Sequence, residues 1–163
     1  MNLVERCHLA GLRLAIAESL TGGQVCAAIV DFPGASRVFL GGVISYQDAI
    51  KVQMLGVNQS LIQQQGAVDP EVVAQMAHGV RQRLSQKASE SFEKTIGLAT
   101  TGVAGPESIG LRLPGTVYIG LSSELGEKVF AFHFDGDRSE VRARATEAAI
   151  AALGDEIQLV SGL

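Results

Sequence analysis

The apolar residues of this chain fall in short runs whose period keeps switching between that of a strand and that of a helix, which rules out an all-helical or all-strand fold. LRLAIA at 12–17 is short, branched and bounded by Gly11, as a buried strand would be. A helix is expected before it, ending at Gly11, and another after it, near 21–31. The alternation continues with a strand near 41–46, a helix around 48–55, a short helix opening at Asn58 and a long one from Pro70 to about Lys87. Asp69 is suited to cap that last helix and Pro70 to fill its first position.

TIGLATTG at 95–102 reads as a buried strand. GTVYIGLSS at 115–123 and EKVFAFHF at 127–134 read as a hairpin about Glu124–Gly126, which forces one antiparallel pair. A final helix is expected from Arg138 to about Leu153, with Val141, Ala145, Ala148, Ala149 and Ala152 as its apolar stripe. Five strands with helices between most of them predict a three-layer α/β domain with a mixed sheet.

With 163 residues, 47% of them hydrophobic and 18% charged, the sequence predicts one well-cored domain over 1–163 rather than disorder. No apolar run reaches the length of a membrane span and the first residues lack a signal-peptide core, so a cytoplasmic, soluble protein is expected. The net charge of −4 argues against a nucleic-acid surface. His8, His78 and His133 show no metal-ligand spacing, and Cys7 and Cys26 are expected to pack in different helices; no metal site is expected.

Polar residues gather where strands are expected to end. AESLTGG at 17–23 places a carboxylate, two hydroxyls and two glycines on a strand-to-helix turn, and the loops 102–115 and 135–138 follow other strands. Free N–H groups at such a helix start attract anions, whereas Ser19 or Thr21 acting as a plain helix cap is the simpler reading.

Four segments together, AESLTGG, GASRVFLGGVISYQDAIK at 34–51, TTGVAGP at 100–106 and GDRSEVR at 136–142, resemble the CinA C-terminal domain family. The characterised members are nicotinamide-nucleotide amidases. The resemblance extends over about Gly11–Ala152 and includes GAVDPEVVAQMA at 66–77. It implies a three-layer α/β/α sandwich with a mixed five-stranded sheet, in a stand-alone form. It also implies hydrolysis of the carboxamide of nicotinamide mononucleotide (NMN) to nicotinate mononucleotide and ammonia, with no metal or organic cofactor, and a homo-oligomer.

Amide hydrolysis needs a nucleophile, a proton acceptor and donors for an oxyanion. Ser19 and Lys51 stand at the family's matching serine and lysine, and Ser36 and Tyr46 are further hydroxyls able to relay protons or hold the carboxamide. The sequence leaves open which serine attacks, or whether one only orients water. At an ordinary pKa near 10.4 only about one Lys51 in 2,500 is neutral at pH 7, so burial or a neighbouring cation must lower it. The simpler alternatives are an exposed helix lysine at 51, a core aromatic at Tyr46 and a turn cap at Ser36. Glu18 either orients a cation or is a polar residue where the strand ends.

For the nucleotide, the expected binding residues are Thr21, Gly22 and Gly23, the backbone of Thr101, Gly102, Ala104 and Gly105, and the arginine pair Arg138 and Arg142. The alternative for the arginines is surface pairing with Asp135, Asp137 or Glu140. Family members usually follow TGxAGP with a glycine pair and Lys-Pro-Val-Gly-Thr-Val. Here GPESIGLRLPGTV at 105–117 puts Ser108 and Ile109 in place of the glycines and Arg112 near the lysine. That loop separates two expectations: an amidase with a reshaped substrate loop, or a silent paralogue that binds a nucleotide.

Overall fold

A computed structural model describes residues 1–163. The chain runs α1 (Leu3–Ala10), β1 (Arg13–Glu18), α2 (Gln24–Val30), a 3₁₀ turn (Ala35–Arg37), β2 (Phe39–Ile44), α3 (Asp48–Leu55), α4 (Gln59–Gln65), α5 (Pro70–Ala88), β3 (Thr95–Gly102), β4 (Thr116–Ser123), β5 (Gly126–His133) and α6 (Arg138–Ser161). The five strands form one sheet in the order β2-β1-β3-β4-β5. β2, β1 and β3 are parallel, and β4 and β5 are antiparallel additions joined by the expected hairpin. The mixed five-stranded α/β architecture is therefore as the sequence predicted.

Each face of the sheet carries its own core. On one side Leu14, Ile16, Leu98, Ile119 and Leu121 meet Val25 and Ile29 of α2 and Val141, Ala145, Ala149, Leu153 and Ile157 of α6. On the other, Ala15, Ala17 and Ala99 meet Leu55 of α3, Ile62 of α4 and Val72, Val73, Met76, Ala77 and Val80 of α5. Burying each Leu, Ile or Val contributes roughly 1.5–3 kcal/mol, so alternation along β1 alone ties helices to both faces.

Three boundaries differ from expectation. α6 continues eight residues past Leu153 to Ser161, because Ile157 extends its buried stripe and Gly154 does not interrupt the helix. β2 ends at Ile44, two residues early, which frees the carbonyls of Ser45 and Tyr46 from the sheet. α2 begins only at Gln24, because Gly22 (φ 57°) and Gly23 (φ 105°) turn the chain through left-handed backbone before the helix starts. No helix is long and apolar enough to cross a membrane.

Candidate active site

β1, β2 and β3 all end at the same edge of the sheet, where Glu18 lies beside Ile44 and Gly102 beside Val117. A cleft of about 590 Å³ opens there, lined by Ser19, Tyr46, Asp48, Lys51, residues 66–68, residues 101–109 and Arg138. A separate surface cleft of about 410 Å³ around His78 and Glu127 has neither serine nor lysine in its wall.

Lys51 lies on the inner face of α3 and is only 1% exposed. Its Nζ donates to the Ser45 carbonyl (2.6 Å), the Tyr46 carbonyl (3.4 Å) and Ser19 Oγ (3.2 Å). Burial pushes its pKa below the ordinary lysine value, opposed by the negative charge of Asp48. The partners also fix where a neutral amine points. It has two N–H groups and one lone pair; the carbonyls only accept, so the lone pair is left for the one partner with a proton to give, the Ser19 hydroxyl.

Ser19 is 9% exposed. Its N–H donates to the Thr100 carbonyl (3.1 Å), so the residue is tied to β3 as well as to Lys51. Behind it, the Thr21 and Thr100 hydroxyls bond at 2.8 Å. The turn that holds Ser19 is fixed by Glu18, which is fully buried and accepts from the N–H groups of Gly23, Val25 and Cys26 at 2.8–3.1 Å.

Glu18 therefore neither orients a cation nor sits idle at the strand end: it caps α2. Neither Ser19 nor Thr21 caps that helix, and its first N–H groups are already spent on a carboxylate, which corrects the reading of this turn as an anion cradle. Thr21 is fully buried, and Thr21, Gly22 and Gly23 lie outside the cleft lining.

The arginine pair divides its work. Arg138 lines the cleft, donating to the Gly105 carbonyl (2.7 Å) and to the Tyr46 hydroxyl (2.7 Å), and so bridges its two rims. Arg142 turns instead to the carbonyls of Leu20 (2.8 Å) and Thr21 (3.2 Å), clamping the serine turn from α6. Neither pairs with Asp135, Asp137 or Glu140; Asp137 and Glu140 form the capping box of α6. Thr101, Gly102, Ala104 and Gly105 line the cleft.

Ser36 is not brought to the site. It is exposed on the 3₁₀ turn that precedes β2, at the far end of a six-residue strand from Ile44, about 20 Å along the sheet. Tyr46 is 55% exposed on the cleft rim rather than a core aromatic. Cys7 and Cys26 are free thiols in α1 and α2. No group of three or more His, Cys, Asp or Glu is arranged to hold a metal ion.

Five contributors escaped sequence reasoning: the Ser45 and Tyr46 carbonyls, Asp48, Thr100 and the clamp by Arg142. Only Asp48 had a signal, one helical turn before Lys51 on the same face. The backbone N–H groups of Leu20, Ala104 and Gly105, all on the cleft wall, donate to no acceptor within the protein.

Fold and site together define a three-layer α/β domain with a buried serine–lysine pair at the carboxyl edge of its sheet. Its sequence matches the CinA C-terminal domain model over residues 1–157, and the chain belongs to that family. A protein of Halothermothrix orenii named for competence and damage induction is 47% identical over 141 residues, 85% of this chain and 32% of that relative. A CinA-like protein of Desulfotalea psychrophila is 43% identical over 81% of this chain and 30% of its own. The chain thus spans about a third of the length of these relatives. A CinA superfamily protein from Enterobacter cloacae superposes with a TM-score of 0.84 at 26% identity, over 95% of this chain and 90% of that one.

Proposed function

We propose that the protein hydrolyses the carboxamide of NMN to nicotinate mononucleotide and ammonia. The observation that carries this reading is the contact between the buried Lys51 amine and the Ser19 hydroxyl. In the first step Lys51 takes the hydroxyl proton as Ser19 Oγ bonds to the carboxamide carbon. The oxyanion so formed falls to the unpaired N–H groups of Leu20, Ala104 and Gly105. Lys51 then returns the proton to the departing nitrogen, ammonia leaves and an ester on Ser19 remains. Water, deprotonated by the same amine, attacks the ester; the C–O bond to Ser19 breaks as Lys51 returns that proton to Ser19 Oγ, and nicotinate mononucleotide is released.

Ser19 is the nucleophile in this reading because it alone of the two candidate serines lies within reach of Lys51. In this reading Arg138 takes the phosphate, exchanging its bond to Tyr46 for one to the ligand.

The test is ammonia and nicotinate mononucleotide release from NMN by wild type, Ser19→Ala and Lys51→Met. Turnover by wild type and its loss, by about a thousandfold or more, in both variants is expected. Binding of NMN without turnover by wild type would favour the silent nucleotide-binding reading, to which the bulky 107–114 loop lends its support.

A further inference from the structure

The charges of the cleft bear on the ring that carries the amide, an inference that rests on the amidase reading. Two carboxylates, Asp48 and Glu107, line the cleft, and neither forms an ion pair. Asp48 is the nearer to the reacting groups in the chain: it precedes Lys51 by one turn of α3, on the same face, and the two side chains feel each other's charge. The Lys51 amine is neutral when it acts as a base, and the Arg138 guanidinium lies across the rim on Gly105 and Tyr46. With Lys51 neutral, Asp48 thus brings to the reacting end of the cleft a negative charge that no ion pair offsets, while Arg138 is held on the rim by Gly105 and the Tyr46 hydroxyl.

We propose that Asp48 is a specificity-determining residue, selecting substrates whose carboxamide is carried on a positively charged aromatic ring over the same molecule with an uncharged ring. An N-substituted pyridinium such as NMN has that charge; its 1,4-dihydropyridine form keeps the phosphate, ribose and carboxamide and lacks it. The same carboxylate opposes the carboxylate that hydrolysis creates, so it favours departure of the acid product. At separations of several ångströms on a solvated rim, one charge pair discriminates by about tenfold. Asp48 also opens α3, where an acid suits the helix dipole, but that role is indifferent to the ligand's ring.

The experiment measures Kd for NMN and for its dihydropyridine form on Ser19→Ala, which cannot turn over, and on Ser19→Ala/Asp48→Asn. NMN is expected to bind Ser19→Ala about tenfold more tightly than the dihydro form. Asp48→Asn should bring the two within about threefold by weakening NMN alone; its effect on Lys51 works the other way, since losing Asp48 disfavours the Lys51 cation that would repel the pyridinium. Equal binding of the two ligands to Ser19→Ala, or a preference that survives Asp48→Asn, overturns the assignment. Ammonia release from NMN by wild type is read separately. A charge preference without release sinks the amidase reading and leaves Asp48 in its role; release without a preference does the reverse.

Discussion

An amine held as Lys51 is held is costly as a cation and useful as a base, and the two properties are measurable separately. Its folded pKa lies below the unfolded value of 10.5. Between those two values the unfolded chain binds more protons than the folded one, so stability rises with pH, by at most about 1.4 kcal/mol per pH unit. Below the folded pKa the burial penalty is fully present; above 10.5 it is gone. Lys51→Met lacks this dependence while keeping most of the stem volume. The stability gap between the variant and wild type should therefore shift in favour of wild type as pH rises towards 10.5, read from urea midpoints between pH 6 and 10. Parallel profiles would mean that Lys51 is as proton-avid folded as unfolded, and its use as a base would lose its physical ground. Ser19 and Lys51 were legible in the sequence through the family resemblance, since residue type alone favoured a plain cap and an exposed helix lysine. The two carbonyls that aim the amine were not, because a backbone acceptor leaves no trace in residue type.

At the scale of elements, the turn from β1 to α2 depends on one side chain. Glu18→Ala would leave the N–H groups of Gly23, Val25 and Cys26 without their acceptor at a buried helix start, a loss of about 2–4 kcal/mol. A drop of that size in urea stability is expected, and a change under about 0.5 kcal/mol would show that water replaces the carboxylate. Sequence reasoning put the polarity of AESLTGG in the right place and gave it the wrong owner: a carboxylate five residues before the first N–H it satisfies looks like a site residue, not a cap. The same holds for Arg142, whose partners are carbonyls 121 and 122 positions away. The 107–114 loop is the other element in question. Ile109 and Arg112 exchange N–H···O bonds at 3.0 Å, and Arg112 is anchored on the Tyr118 hydroxyl (2.9 Å) and near Asp69 (3.5 Å). Ile109 thereby stands in the cleft wall while Leu111 is fully exposed. Ser108→Gly with Ile109→Gly removes the side chain and restores backbone freedom without adding a reactive group, so kcat/KM for NMN should rise severalfold. Unchanged kcat/KM with intact NMN binding would clear the loop of any braking role.

Across the whole molecule, the site exists because two layers meet at one sheet edge: Ser19 leaves a central strand, and Lys51 arrives on a helix from the outer layer. The strand–helix alternation made the layers legible, but not how closely they approach. α3 reaches its position by lying directly on α5 at Gly79, where a Cβ would stand 1.8 Å from the Leu55 carbonyl oxygen. Leu55 is one turn beyond Lys51, so this contact sets the height of the amine over Ser19. Nothing in the residue sequence around Gly79 announces this, since the glycine sits inside a long helical pattern and reads as a weak point. On propensity alone, Gly79→Ala in α5 should stabilise by roughly 0.5–1 kcal/mol. The overlap with rigid backbone acts against that gain and is the larger effect, because forcing extra volume into a packed contact costs about 1–3 kcal/mol and here α3 itself must move. Gly154 in α6 supplies the control, since a Cβ there meets nothing within 4 Å. Gly154→Ala should raise the urea midpoint with turnover unchanged. Gly79→Ala should lower it and reduce turnover of NMN, although Gly79 lines no part of the cleft that holds Ser19 and Lys51. If both alanines stabilised alike, the α3–α5 contact would be soft and could not be what holds Lys51 against Ser19.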